Sequence, residues 1–256
     1  QMEEQLLVKA ADVQPSMREV TAGLTRPEVK EEDGFTTVSG DGFIARFDNA
    51  KGTIHSLEYN GKQIIREGEG PRIDALRAPV DNDNWAYRQW FENGLHNLKH
   101  KATAYSWINR KDKKDNTVQL MYTVVSQAPN GATLEGGNSG KNSVKEHTEN
   151  PFGADDFKFT ANQIWTIYPD GSIELQSSVN SNKPALILPR LGYAMQLPEE
   201  LGQYTYYGRG PWNNYNDRCT GSFIEQYQST VKDQFINFPK PQSMGNREGI
   251  RWCALT

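Results

Sequence analysis

The chain has 256 residues, 28 basic and 32 acidic side chains for a net charge of −4, 11% aromatic residues and only two cysteines. That balance, with no Lys/Arg run, excludes binding of nucleic acid through a basic surface. Two cysteines, Cys219 and Cys253, are too few for a disulfide scaffold and read as buried free thiols rather than a bridge. No apolar run approaches the roughly 20 residues of a membrane span, and no secretory leader is visible.

Residues 1–34 do not read as a compact unit. Met2, Leu6, Leu7 and Val8 suit the last strand of something upstream, and residues 9–34, with Pro15, Pro27 and many charges, have linker composition. A first residue that is Gln rather than Met suggests an excised piece. From Phe35 the pattern becomes a β-meander: Phe43, Ala45 and Phe47 alternate with Ile44 and Arg46, Thr53–Tyr59 is the return strand, and Asn60-Gly61 is a two-residue hairpin signal before Lys62–Ile65. Arg77-Ala78-Pro79-Val80-Asp81-Asn82-Asp83-Asn84 follows. Its proline favours an extended Ala78, and its Asp/Asn run suits an Asx-turn or helix cap. Tyr87, Phe91, Leu95 and Leu98 recur at helical spacing, weakened by Gly94.

Thr103–Ile108 and Thr117–Ser126 read as strands, with Val118, Leu120, Tyr122 and Val124 on one face. Residues 129–156 read as a polar insertion loop. Phe157–Tyr168 and Ser172–Val179 form a hairpin across Tyr168-Pro169-Asp170-Gly171, which suits a type I turn. Leu186–Leu197 reads as the clearest strand. Ile187, Leu191, Tyr193, Met195 and Leu197 share one face, and Arg190 sits among small residues on the other. There it is a solvated side chain, an inter-sheet ion-pair partner or a ligand contact. Ser222–Gln226, Ile236–Phe238 and Ile250–Leu255 are further strands, the last cut off at its start. More than ten strands and at most short helices give an all-β chain, a large two-sheet antiparallel sandwich.

Catalytic motifs are scarce. G-x-S-x-G, H-E-x-x-H, C-x-x-C and phosphate-binding glycine loops are absent. His96 and His100 are four apart but lack an evident third ligand, so solvated histidines are the default. Asp81–Asn84 carries oxygen ligands without EF-hand spacing, and turn chemistry is the simpler reading. The densest stretch is Tyr206-Tyr207-Gly208-Arg209-Gly210-Pro211-Trp212-Asn213-Asn214-Tyr215-Asn216-Asp217-Arg218. Its glycines and proline force a turn, and its aromatics, arginines and amides suit either a structural corner or a sugar-facing loop.

Three ordered segments carry a resemblance. Arg77-Ala78-Pro79-Val80-Asp81-Asn82-Asp83 resembles the R-A-P-x-D-N-D motif that opens the C-terminal small-chain domain of bacterial β-galactosidases of glycoside hydrolase family 2. Tyr207–Pro211 with Asn214–Arg218 resembles G-x-G-P-x-E-N-Y-x-D-R. Phe238-Pro239, Pro241-Gln242, Gly245-Asn246-Arg247 and Arg251-Trp252 resemble P-Q-x-x-G-N-R-x-x-x-R-W. Asn213 stands where the family has Glu, and Asn216 where proline is common. The resemblance covers residues 35–256, as a small-chain domain incomplete at its C-terminus, with residues 1–34 as the tail of a preceding domain and a linker.

It implies a galactose-mutarotase-like supersandwich and a soluble bacterial parent, cytoplasmic or periplasmic, that hydrolyses terminal β-D-galactosides with retention. The catalytic glutamates would lie in an upstream barrel, so no catalytic residue falls here. Mg²⁺ or Na⁺ is a cofactor candidate for the parent and none is expected in this stretch; the parent is also a candidate homo-oligomer. The sugar-contact candidates are Arg190, Arg77, Tyr207, Arg209 and Asn214. Asp81, Asn82, Asp83, Asp217 and Arg218 are expected to shape the motifs. Competing readings are an aldose 1-epimerase, which shares the implied fold, and a purely structural assembly domain.

Overall fold

Asn60 and Gly61 both take positive φ, 49° and 75°, and the strands that they join pair through Tyr59 and Lys62. The hairpin read from Asn-Gly is therefore formed by the mechanism expected of that dipeptide. The computed structural model describes residues 20–21, 23–109, 116–135, 143–239 and 242–256. Among these the chain divides into two units, one of residues 20–77 and 82–198, the other of residues 78–81 and 199–256. The readings placed on residues 1–19 lie outside the described residues.

The larger unit is built on two antiparallel sheets. One has the order β1 (Glu28–Glu32), β2 (Phe35–Gly40), β3 (Phe43–Asp48), β4 (Thr53–Tyr59), β5 (Lys62–Ile65). The other runs β12 (Ile173–Ser181), β11 (Phe159–Ile167), β8 (Val118–Gln127), β7 (Lys99–Asn109). Period-two alternation directs Val38, Phe43, Ala45, Phe47 and Leu57 from the first sheet, and Val118, Leu120, Tyr122, Val124, Trp165 and Ile167 from the second, into one buried cluster. Phe47 meets Trp165 edge-on at 5.5 Å. Each such side chain contributes about 1.5–3 kcal/mol on burial.

Polar groups within the sandwich are tied together. Tyr122 donates to Asn49 Oδ1 at 2.8 Å, and Asn49 Nδ2 donates to Thr36 Oγ1 at 2.9 Å. Burial pushes the Tyr122 hydroxyl pKa up, so it remains a donor. At one end Gly171 closes the Tyr168–Gly171 turn with a 3.0 Å hydrogen bond to the Tyr168 carbonyl, at φ 85°. A Cβ there would come within 2.9 Å of Phe43 and 2.8 Å of Tyr59.

A second cluster lies under α1 (Tyr87–Glu92), where Trp90, Leu95, Phe157, Phe159 and Ala161 pack with Ile73 of β6 (Arg72–Asp74). The helix stops at Glu92, and Gly94 at φ 73° opens a separate 3₁₀ turn, Leu95–Asn97. Helical spacing out to Leu98 thus overstated one continuous helix.

Four further expectations are corrected. Glu28–Glu32, inside the assumed linker, is β1, a charged edge strand laddered to β2, and charge is how edge strands avoid further pairing. Residues 129–156 are not simply a loop, for they contain a hairpin of β9 (Asn130–Glu135) and β10 (Ser143–Pro151). Its β10 half is largely exposed, so no apolar alternation advertised it. The strand expected over Leu186–Leu197 shrinks to β13 (Gly192–Ala194), paired with β6. Pro189 supplies no N–H to a ladder, and before it the burial phase inverts: Leu186 and Leu188 pack inward while Ile187 is 57% exposed; Tyr193 and Leu197, from the face expected to be apolar, do pack inward. Ile236–Phe238 is irregular and follows a 3₁₀ turn, Lys232–Gln234.

The smaller unit carries the sheet β15 (Phe223–Thr230), β14 (Gln203–Gly210), β16 (Trp252–Leu255). Cys219 and Cys253 are free, as expected, but half-buried and exposed rather than buried. Among the described residues no helix is long and apolar enough to cross a membrane. The all-β expectation holds.

His100 of β7 gives the larger unit a pH signature. Its Nδ1 lies 2.8 Å from Ser126 Oγ. Burial foremost, then the charges of Arg72, Lys99 and Lys51, lowers its pKa from 6.5 to about 4. The unfolded chain therefore takes up the proton more readily. The stability from neutral His100 is complete above pH 6.5 and drains away as pH falls from 6.5 toward 4. Urea unfolding at stepped pH is expected to show a shallower loss across that window in His100→Gln than in the parent chain.

Candidate functional site

The motif loop grows from the end of β14. Gly208 and Gly210 are required there by space: a Cβ on Gly208 would lie 2.5 Å from Ile250, and one on Gly210 2.3 Å from the Tyr206 hydroxyl. The chain then turns through a cis Gly210–Pro211 bond. Asn214 follows, fully buried. Its Nδ2 donates to the carbonyls of Arg209 at 3.1 Å and Trp212 at 3.0 Å, and its Oδ1 accepts the Glu248 N–H at 2.7 Å. Its own main chain is held by Asn246: Asn214 N donates to Asn246 O at 2.9 Å, and Asn246 Nδ2 donates to Asn214 O at 2.7 Å. Three of the carboxamide's four hydrogen-bonding capacities are met by backbone. Asn214, a candidate for sugar contact, instead shapes the loop.

Arg209 also turns to backbone, donating from Nη1 to Ser222 O at 2.9 Å. Tyr215 and Arg218 exchange main-chain hydrogen bonds at 3.2 and 2.8 Å, and the Arg218 guanidinium lies 5.1 Å from the Tyr215 ring. Asn216 and Asp217 are the exposed tip of that turn. The turn closes with asparagine where the related motif commonly has proline. Asn213, in place of the motif's glutamate, buries an Nδ2 that finds no partner among the described residues.

Arg247 had no place among the sequence-derived site residues, yet it joins the two loops. It donates to the Tyr206 hydroxyl at 3.2 Å, to Pro211 O at 3.1 Å and to Gln234 Oε1 at 2.8 Å. The Gly245-Asn246-Arg247 segment was the available signal. Tyr207, on β14, is 37% exposed.

In the larger unit, Arg77 grips Asp83 with both guanidinium arms, Nη1 to Oδ2 at 2.5 Å and Nη2 to Oδ1 at 2.9 Å. This fork links the ends of the Arg77–Asp83 segment and sits 5.6 Å from the Trp90 ring. The Asp83 carboxylate serves that clamp and not a helix cap, since the residue before α1 is Ala86 with no side-chain cap. Asp81 and Asn82 are exposed. Arg190 is ion-paired with Asp74, one of its three sequence readings.

The histidines are half-buried rather than solvated and do not converge. His96 Nε2 lies 2.7 Å from Glu146 Oε1, whereas His100 meets Ser126. Among the described residues no group of three His, Cys, Asp or Glu is placed to hold a metal. A cavity of about 30 Å³ lined by Lys51, Arg72, His100, Ser126 and Gln163 has room for about two waters, not a sugar ring.

The Arg77 clamp, the Asn214-centred loop and the Asn246–Arg247 counter-loop all fall within one stretch matched by a protein-family model. The family model of the β-galactosidase small chain covers residues 39–256. This chain belongs to the β-galactosidase small-chain family. It is 25% identical over 253 residues to a β-galactosidase of Priestia megaterium, covering 99% of this chain and 21% of that protein. It is 27% identical over 236 residues to one from Lactobacillus delbrueckii subsp. bulgaricus, covering 90% and 20%. With one from Staphylococcus xylosus the identity is 28% over 214 residues, covering 84% and 18%. The chain thus spans about a fifth of the length of the curated relatives that it matches.

A small-chain loop held this way is sensitive to one atom. Asn214→Ala strands the Glu248 N–H and two carbonyls, and is expected to cost about 3 kcal/mol or more. Asn214→Asp, nearly isosteric, is expected to cost a similar amount, because it points a carboxylate at two carbonyl oxygens. Arg218→Ala, at an exposed tip, is expected to stay within about 0.5 kcal/mol. Urea unfolding followed by tryptophan fluorescence measures all three.

Proposed function

We propose that this chain is the non-catalytic, carbohydrate-facing domain of a larger β-galactosidase that hydrolyses terminal β-D-galactosides, with both catalytic carboxylates elsewhere in the full-length protein. Glycoside hydrolysis uses two carboxylates about 5–10 Å apart across the scissile bond. The observation that carries the reading is the use made of the polar groups in the family motifs. Asp83 is committed to Arg77, and Asn214 and Arg209 to backbone carbonyls. Such groups build a wall and a corner; they are not poised to move protons. Spanning about a fifth of the related β-galactosidases agrees with a domain that supplies part of a larger machine.

The purified chain is expected to release no nitrophenol from nitrophenyl β-D-galactoside above the buffer blank. Turnover that scales with protein concentration and survives repurification would overturn the reading.

A further inference from the structure

Strand register on the β15-β14-β16 sheet sets three side chains in one row. Trp252 pairs with Tyr207, and Tyr207 pairs with Gln226. Opposed residues of adjacent antiparallel strands project to the same face. Strands lie about 4.8 Å apart, so the row is about 10 Å long, the length of a disaccharide. Trp252 is 46% exposed and Tyr207 37%, and Gln226 is exposed as well. The neighbouring row on that face is Ala254, Thr205 and Gln228. None of the six is charged.

The other face of the same strands behaves differently. Tyr206 is 1% exposed, with its ring 5.0 Å from that of Tyr204 and 5.3 Å from that of Tyr227. One side of β14 uses its aromatics for a core, and the other presents them to water.

The geometry points to a sugar-binding platform in which Trp252 and Tyr207 stack on the C–H face of a neutral pyranoside and Gln226 hydrogen-bonds its hydroxyls. Aromatic rings bring large apolar area at low conformational cost, and a carboxamide both donates and accepts, as a hydroxyl requires. Neither row carries a charge that would favour a phosphorylated or acidic sugar over a neutral one. Arg209, two residues from Tyr207 on β14, has its Nη1 engaged with Ser222 O. The inference rests on the carbohydrate-facing reading above and adds Trp252 and Gln226, which that reading did not use.

The test is a ¹H–¹⁵N titration of the purified chain with lactose, following the tryptophan indole N–H signals. The Trp252 indole is expected to shift saturably while those of Trp85 and Trp212 stay in place. Trp252→Ala and Tyr207→Ala are each expected to weaken binding about tenfold or more, equivalent to 1.4 kcal/mol. Trp252→Phe and Tyr207→Phe keep a ring and are expected to retain binding, which separates loss of the platform from loss of fold. Trp212→Ala is expected to bind as the parent chain does. An unmoved Trp252 signal at the lactose solubility limit overturns the proposal, as do alanine variants that bind normally. Self-association abolished by Trp252→Ala also overturns it, since the face would then be a contact between copies. Failure here is read from the indole signal and failure of the functional reading from nitrophenol release, so the two are told apart.

Discussion

The motif region of the smaller unit depends on one buried carboxamide. Asn214 satisfies three backbone groups from two separate loops, and Asn246 reciprocates on the Asn214 main chain. A buried polar group left unpaired costs more than a formed hydrogen bond gains, so the two loops are held in register or not at all. Arg247 adds a second tie through Tyr206, Pro211 and Gln234. Motif residues far apart in sequence are therefore one structural object, and their chemistry is that of positioning.

The larger unit solves a different problem. Its sandwich buries Phe47, Leu120 and Trp165 between two sheets and threads a polar chain, Tyr122 to Asn49 to Thr36, through the apolar interior. Fully satisfied networks of this kind favour one arrangement of two sheets over a slid alternative. The Arg77–Asp83 fork joins the two ends of the RAPVDND segment.

Legibility in the sequence followed apolar periodicity. Val118, Leu120, Tyr122 and Val124 alternate cleanly, and the one face that they share is the buried one. Asn60-Gly61 and Tyr168–Gly171 were readable because their turns need particular residues. The β9–β10 hairpin was not, since β10 faces water over most of its length and polar strands look like loops. Leu186–Leu197 misled in the opposite direction: its apolar content suggests a long strand, while pairing is confined to the three residues Gly192–Ala194, beyond Pro189. At the candidate site, residue types announced the loop but not the direction in which Asn214 and Arg209 point. That depends on backbone carbonyls, which are the same in every sequence. Trp252 opposite Tyr207 is a fact of register across 44 intervening positions, and local pattern contains no trace of it.

Gly171 sets a closing dimension for the sandwich. The Phe43 and Tyr59 rings approach its α-carbon so closely that a single methyl group would have no place, while Tyr59 donates to its carbonyl. The gap between the two layers at that end is thus gauged by a hydrogen atom. Widening this fourth position of the turn would pry the layers apart from the rim inward.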